Sequence, residues 1–183
     1  MGAVLCDTFN YDDGKPTFYN PRQVARKQLD KLHELGYEIM SAWEIEFTLL
    51  KHGTKEPVCE DIQFMTTAHF HQFKGFANTA AKYAEQAGVG IECFHPEFGF
   101  GQIEFATEPA LGMKGADNHL IFKDIAHGIA QDYGMDACFI TRPFLGAMAY
   151  GNGLHANHSL WDVTGTKSAF YDPSKPSNMS DIY

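Results

Sequence analysis

Two glutamates separated by a single isoleucine are the first residues whose type and spacing point to chemistry. They lie in the run Trp43-Glu44-Ile45-Glu46-Phe47. In a β-strand, alternate side chains point to the same face, so both carboxylates would share one face of a sheet. Carboxylates held that close repel each other unless a cation or a proton lies between them. The pair indicates either a metal-binding face or, as the simpler alternative, the polar face of a half-exposed strand.

Three further candidates, Glu97, Glu104 and His155, lie on other predicted strands. If these strands share a sheet with Glu44 and Glu46, four carboxylates and one imidazole converge on one face. Such oxygen-rich surroundings suit Mg²⁺ or Mn²⁺ better than zinc. Taken singly, each residue has a simpler explanation, as a solvated glutamate or a structural histidine.

Other motifs carry weaker signals. The glycine-rich loop before His155 lacks the Gly-Lys-Ser/Thr sequence of a P-loop. His69 and His71 alternate as a metal pair on a strand would, but no third ligand lies nearby. Ser159 has no nucleophile-elbow context, so we predict no catalytic side chain beyond the metal ligands.

The positions of Gly, Pro and apolar residues predict the elements that carry these side chains. Asn20 is a predicted N-cap and Gly36 the stop of a helix over residues 21–35, whose apolar stripe should pack on a sheet. Two further helices are predicted over residues 73–87 and 117–133. Strands are predicted over residues 2–9, 37–41 and 43–50 (as one strand or two), 91–97, 102–107, 136–140 and 154–162. Residues 52–61 and 144–153 predict loops.

Composition predicts a soluble globular protein with one domain. The chain has 183 residues, 44% of them hydrophobic and 20% charged. Its formal net charge of −9 argues against nucleic acid or an anionic membrane as a partner. No apolar run approaches the roughly 20 residues of a membrane span and no signal peptide is apparent, so we expect a cytoplasmic location. The four cysteines lack paired spacing and are expected to be reduced thiols.

Three blocks of residues together resemble successive motifs of the glutamine synthetase catalytic domain. The blocks are Glu44-Ile45-Glu46-Phe47, Glu97 with Gly101-Gln102-Ile103-Glu104, and Gly151-Asn152-Gly153-Leu154-His155 with Ser159-Leu160-Trp161. Their order and internal spacing match, and the resemblance extends over nearly the whole chain. Within that superfamily, residues 2–9, Pro21-Arg22 and residues 159–163 look most like lengsin, a class I relative from the eye lens that is regarded as having lost catalysis.

The resemblance implies two metal sites and a nucleotide. Glu46, Glu97 and Glu104 match the ligands of one ion, and Glu44 and His155 match two ligands of the other. The two ions, Mg²⁺ or Mn²⁺, would lower the cost of bringing glutamate to ATP, and ammonia would attack the resulting γ-glutamyl phosphate. Gly151 matches a glycine beside the bound glutamate, whereas Asn157 and Ser159 match positions on the nucleotide side.

Several positions depart from the family pattern. Asn157 stands where the family usually has a second histidine, Asn152 where it has serine, and Tyr150 where it has asparagine. Arg142-Pro143 replaces Lys-Pro. The resemblance also implies that residues 1–183 are the N-terminal part of a catalytic domain, without the β-grasp domain and the C-terminal half that complete the active site.

We therefore predict an α+β fold, a curved and mostly antiparallel sheet with helices on its outer face. The first functional hypothesis is a metal-dependent ATP:glutamate-ammonia ligase that is inactive as this fragment alone. The alternative is a lengsin-like, non-enzymatic assembly protein or cytoskeletal partner. Open sheet edges predict association with itself or with further sequence, and a homo-oligomer is expected.

Overall fold

Three α-helices and six β-strands make up the part of the chain that the computed structural model describes, residues 4–61, 64–146 and 150–182. In chain order they are α1 (Pro21–Glu34), β1 (Tyr37–Lys51), α2 (Thr67–Gln86), β2 (Ile91–Pro96), β3 (Gln102–Thr107), β4 (Ala110–Leu111), α3 (Met113–Asp132), β5 (Met135–Cys138) and β6 (Leu154–Asp162). A short 3₁₀ helix, Pro176–Asn178, follows.

The strands form one open sheet in which β1 is the central element. Their order is β2-β3-β1-β4, and β5 and β6 also pair with β1. The pairings of β1 with β3, β4 and β5, and of β2 with β3, are antiparallel. The predicted α+β class with a mainly antiparallel sheet is confirmed.

Alternate residues of β1 form the centre of the apolar core. Ile45, Phe47 and Leu49 are buried almost completely. The remaining members of this cluster come mainly from α2, β3 and α3 and include Phe73, Phe76, Ala80, Ile103, Phe105, Phe122 and Ala126. The ring of Phe47 contacts four other phenylalanine rings, with centroid distances from 4.8 to 6.3 Å. This face of β1 is therefore fixed by close packing.

The chain divides into two compact units. The first comprises residues 1–41, 110–117 and 158–183, and the second comprises residues 42–109 and 118–157. In the first unit, ion pairs hold α1, because the guanidinium of Arg22 contacts the carboxylates of Asp7 and Asp117, and Arg26 also contacts Asp7. The apolar core belongs entirely to the second unit.

The boundaries of α1 agree with the prediction. The side chain of Asn20 accepts hydrogen bonds from the backbone N–H groups of Arg22 and Gln23, and the helix ends before Gly36. Gln23 is the buried residue of this helix, while Val24 and Leu35 are 47% and 73% exposed. Leu29 and Leu32, the other two residues of the predicted stripe, are partly buried, and packing of this stripe on a sheet stays a prediction.

Other predicted boundaries need correction. The strand over residues 2–9 is wrong for its described part, because residues 4–8 have no regular structure and Phe9 makes only a single bridge with Pro16; residues 2 and 3 lie outside the described chain. Helix α2 begins six residues earlier than predicted, and α3 begins four residues earlier. Residues 37–51 form one continuous strand, and β5 ends at Cys138. The bounds of β3 and β6 are confirmed.

Two predictions about composition can also be compared with the structure. All four cysteines are free thiols, as expected. Within residues 4–61, 64–146 and 150–182, no helix is both long enough and apolar enough to cross a bilayer.

Replacing Phe47 by alanine should lower the free energy of unfolding by about 3–5 kcal/mol, because the large cavity left in a close-packed core cannot collapse fully. Urea denaturation followed by circular dichroism measures this loss. Phe18→Ala is the matched control, since Phe18 is 85% exposed and its removal should change stability by no more than about 0.5 kcal/mol. Equal losses in the two variants would contradict the assignment of the core.

Candidate metal centre

The polar face of β1 carries Glu44 and Glu46. They alternate with the buried residues Ile45 and Phe47, so both carboxylates point away from the apolar core. The side chain of Glu46 is 11% exposed and that of Glu44 is 37% exposed. In the pairing of β1 with β3, Glu46 lies opposite Glu104. The register of these two strands therefore brings a third carboxylate to the same region.

The hairpin of β2 and β3 adds Glu97 and a histidine that sequence reasoning missed. His95 lies opposite Glu104 in the register, and its ring nitrogens lie 3.4 Å from a Glu97 oxygen and 3.8 Å from a Glu104 oxygen. One ligand atom from each of these three residues lies within 4.8 Å of the other two. His95 precedes Glu97 by two residues, so the alternation rule that paired Glu44 with Glu46 could have found it.

Burial makes the charges of Glu97 and Glu104 costly. Burial raises the pKa of Glu97, although a hydrogen bond from the backbone N–H of Phe98 and the nearby His95 partly oppose that rise. Burial also raises the pKa of Glu104; His95 lowers it, and the neighbouring carboxylates raise it further. Both groups therefore favour either a proton or a cation at this place.

His155 and Asn157 of β6 bracket the Glu44 carboxylate. The Nδ1 atom of His155 lies 3.0 Å from one Glu44 oxygen, and the Nδ2 group of Asn157 donates to the other oxygen at 2.8 Å. The same His155 nitrogen lies 4.0 Å from Glu46, and the histidine side chain is 62% exposed. The imidazole therefore lies at the solvent side of the carboxylates.

The glycine-rich loop reaches the site through its backbone. The N–H of Gly153 donates to Glu46 at 2.9 Å, and the Gly153 carbonyl accepts from the Glu46 N–H at 3.2 Å. A Cβ atom at Gly153 would lie 2.7 Å from a Glu46 carboxylate oxygen. A side chain here would therefore require the Glu46 carboxylate to move.

A buried pair of amides, Gln102 and Asn152, links this loop to the sheet. The Gln102 Nε2 group donates to Glu46 and to the Gly151 carbonyl, each at 2.8 Å, and lies 3.0 Å from the Asn152 Oδ1 atom. The Asn152 Nδ2 group donates to the carbonyls of Cys138 and Ile140. Sequence reasoning noted Asn152 only as a departure from a pattern, because its partners are distant in the chain.

Of the five predicted ligands, Glu97 and Glu104 belong to the compact group with His95, Glu46 lies opposite Glu104, and His155 lies beside Glu44 and Glu46. Gly151 is linked to Glu46 through Gln102. Asn157 contacts Glu44, whereas the hydroxyl of Ser159 accepts a hydrogen bond from the indole of Trp161 at 2.8 Å. His69 and His71 both lie in α2 rather than on a strand, and the side chain of His69 is outside the described structure.

This donor set fits a hard divalent cation. Four carboxylates and two imidazoles offer mostly oxygen ligands, and the four described cysteines lie outside the ligand group of His95, Glu97 and Glu104. Mg²⁺ and Mn²⁺ prefer such ligands, whereas a structural zinc site uses mainly Cys and His.

Comparison with known proteins gives consistent results. The family model described as "Glutamine synthetase, catalytic domain" matches residues 18–183. The chain is 30% identical to a glutamate–isopropylamine ligase from a Pseudomonas species and 32% identical to a glutamine synthetase from Mycolicibacterium smegmatis, and each alignment covers 98% of the chain. The chain spans 40% of the length of these two relatives. A crystal structure described as a novel glutamine synthase homolog superposes with a TM-score of 0.80 at 28% identity, over 92% of this chain and 38% of the other.

Replacing Glu104 by glutamine should raise the free energy of unfolding of the metal-free protein at pH 7. Burial holds the pKa of Glu104 above its ordinary value of 4.5, so the folded protein binds this proton more tightly than the unfolded chain does. The charged carboxylate therefore destabilises the fold, and the gain from glutamine should shrink as the pH falls towards 4.5. Urea denaturation in EDTA, repeated across this range, measures the effect.

The control is Glu34→Gln on the exposed surface of α1, which should change stability by less than about 0.5 kcal/mol at any pH. A Glu104→Gln protein that is less stable than the wild type at pH 7 would mean that attraction to His95 outweighs the cost of burial.

Proposed function

Since the chain belongs to the glutamine synthetase catalytic-domain family, we propose that it is part of a metal-dependent ligase that uses ATP to join glutamate to ammonia or another amine. The observation that carries this proposal is the convergence of Glu44, Glu46, Glu97, Glu104 and His155 in one oxygen-rich cluster. Burial of Glu97 and Glu104 beside other carboxylates favours a proton or a cation, and a bound divalent ion would supply that charge.

We propose that the cluster binds two divalent ions, Mg²⁺ or Mn²⁺. Glu46, Glu97 and Glu104 would hold one ion, and Glu44 and His155 would contribute two ligands to the other. When bound, these ions supply the positive charge that lets an anionic carboxylate approach the phosphates of ATP. His95 is an additional candidate for the first ion, since it lies within 4 Å of both Glu97 and Glu104.

The residues around the cluster have separate roles in this proposal. Gln102 and the Gly153 N–H hold the Glu46 carboxylate in one orientation, which fixes a ligand before any ion arrives. Gly151 would lie beside the bound glutamate, and Asn157 and Ser159 would face the nucleotide. The γ-carboxylate of glutamate would take the terminal phosphoryl group of ATP, and the amine would then displace phosphate from γ-glutamyl phosphate.

Residues 1–183 are proposed to form the N-terminal part of a catalytic domain. The chain spans 40% of the length of the relatives compared above, so we propose that the complete reaction needs sequence beyond these residues. Exposed apolar side chains on α1, such as Val24 and Leu35, support association with such sequence or with further copies in a homo-oligomer. Glutamate, ammonium and ATP are the proposed small-molecule partners, with a cytoplasmic location and no nucleic acid or membrane partner.

The amine acceptor need not be ammonia. One relative is named for isopropylamine, whereas another is named a glutamine synthetase, and their identities to this chain are 30% and 32%. Overall similarity therefore does not decide between the two acceptors.

A lengsin-like structural role is the second candidate. The substitutions at Tyr150, Asn152 and Asn157 favour it, because they alter the loop and strand that would contact substrate. The relatives compared above are named as ligases and synthetases, so they lend the lengsin resemblance no support. The two candidates differ in one measurable property, the affinity of the carboxylate cluster for a divalent ion.

Calorimetric titration of the chain with Mn²⁺, with and without ATP, tests the proposed function. We expect binding that is lost in the Glu46→Gln, Glu104→Gln double variant. The affinity should fall by at least about 100-fold, since changes outside the ligand shell alone cost about 10- to 100-fold.

The matched control is Glu85→Gln, Glu92→Gln, which removes the same two charges from exposed positions on α2 and β2. This variant should bind Mn²⁺ as the wild type does. Wild-type protein that binds no Mn²⁺, or a double variant whose binding is unchanged, would refute the proposed metal centre and favour the structural role.

A further inference from the structure

Three aromatic side chains, Phe64, Phe98 and Tyr150, form a stacked row that we call the aromatic ledge. The Phe64 and Phe98 rings are parallel within 7°, with centroids 4.1 Å apart, and the Tyr150 ring stacks on Phe98 at 5.6 Å. None of the three belongs to the apolar core, and they are 37%, 42% and 43% exposed. Because the rings stack, their inner faces cover one another, and the ring edges and outer faces of the row form an apolar area that is open to a ligand.

The aromatic ledge adjoins the carboxylate cluster at two points. Phe98 directly follows Glu97, and its backbone N–H donates to the Glu97 carboxylate at 3.2 Å. The Phe64 ring meets the His95 ring edge to face at 6.4 Å, and His95 contacts both Glu97 and Glu104. A ligand whose reacting end lies beside this cluster would therefore lay its remaining atoms across the ledge.

Tyr150 connects the ledge to the glycine-rich loop. It directly precedes Gly151, whose carbonyl accepts from Gln102, and Gln102 also donates to Glu46. The ledge therefore lies next to Gly151, the residue proposed to lie beside the bound glutamate.

We infer that the aromatic ledge binds the organic part of a primary amine, so that the acceptor is an alkylamine or an arylalkylamine rather than ammonia. The inference rests on the proposed function. A primary amine matches both surfaces, because its nitrogen can lie beside the cluster while the exposed parts of the rings bury its carbon atoms. Ammonia has no carbon atoms to place on the ledge and gains nothing from it.

The reaction with such an amine is balanced in the same way as with ammonia. ATP gives its terminal phosphoryl group to the γ-carboxylate of glutamate and leaves as ADP. The ammonium group first gives one proton to water. The nitrogen lone pair that this frees then forms a bond to the γ-carbon, and the bond from that carbon to the phosphate oxygen breaks. Phosphate leaves with the electron pair, a second proton passes to water, and a γ-glutamyl amide remains.

A nucleobase could also stack on aromatic rings, but its position would be less favourable. The ledge adjoins Glu97 and Gly151, on the side proposed for glutamate, whereas Asn157 and Ser159 are the positions proposed to face the nucleotide. We therefore assign the ledge to the amine and use adenosine as a competitor in the test.

Saturation-transfer NMR on the 183-residue chain with Mg²⁺ tests the inference. The ligands are methylamine, isopropylamine and benzylamine, each titrated as its hydrochloride. We expect the dissociation constant to fall along this series, by roughly fourfold for each methylene equivalent that contacts the rings. Saturation should be strongest on the phenyl protons of benzylamine.

Phe98→Ala and Tyr150→Asn should each remove most of the preference for benzylamine over methylamine. Tyr11→Asn is the matched control, because Tyr11 is fully exposed and lies outside the ledge, and it should leave the preference unchanged. Circular dichroism establishes that each variant is folded. If a variant does not fold, the affinities of the wild-type protein for the three amines decide the test.

Affinities that are equal across the amine series, or a preference that survives both ledge variants, would overturn the inference. Adenosine that saturates the ledge while the amines do not bind would also overturn it and would assign the rings to a nucleobase. These failures differ from failure of the proposed function. If Mn²⁺ binding requires Glu46 and Glu104 but amine affinity does not vary, only the assignment of the acceptor is wrong.

Discussion

The alternation of side chains along β1 is the constraint on which the core and the candidate metal centre both depend. Ile45, Phe47 and Leu49 are buried on one face, and Glu44 and Glu46 lie on the other. A slip of one residue in the pairing of this strand would exchange the two faces and bury the carboxylates in the apolar core. Close packing around Phe47 therefore fixes the register that places Glu46 opposite Glu104. Packing of the apolar face therefore determines where the carboxylates on the polar face lie.

The second structural requirement is a buried network of amide side chains that links the sheet to the glycine-rich loop. Gln102 and Asn152 are nearly inaccessible to solvent. The Gln102 amide has partners in Glu46 and Gly99, and the Asn152 amide has partners in Thr48 and the Cys138 carbonyl. A buried polar group that loses its partner costs about 1–3 kcal/mol, so a satisfied network has few alternative arrangements. Glu46 is consequently held by a side chain and by the Gly153 backbone at once.

Local signals in the sequence predict most elements, whereas long-range pairing decides the rest. The Asn20 cap and the bounds of β3 and β6 follow from capping and alternation, which are properties of neighbouring residues. Residues 4–8 look like a strand but form no ladder, because a strand exists only where a partner lies beside it. Alternation alone could have paired His95 with Glu97, but the proximity of His95 to Glu104 and the contacts of Gln102 depend on residues that the register places opposite or beside them.

The stability that the protein loses by burying charged carboxylates helps to distinguish the two proposed functions. Burial and neighbouring negative charge make the ionised forms of Glu97 and Glu104 unfavourable, so the metal-free protein gives up stability to keep them. A protein with a purely structural role would gain stability from glutamine at these positions, because glutamine fills the same space without the charge. A binding site benefits from the same unfavourable arrangement, since an arriving cation relieves the repulsion and stabilises the fold by its own binding free energy. The electrostatics of the second unit therefore favour a ligand-binding role over a passive one.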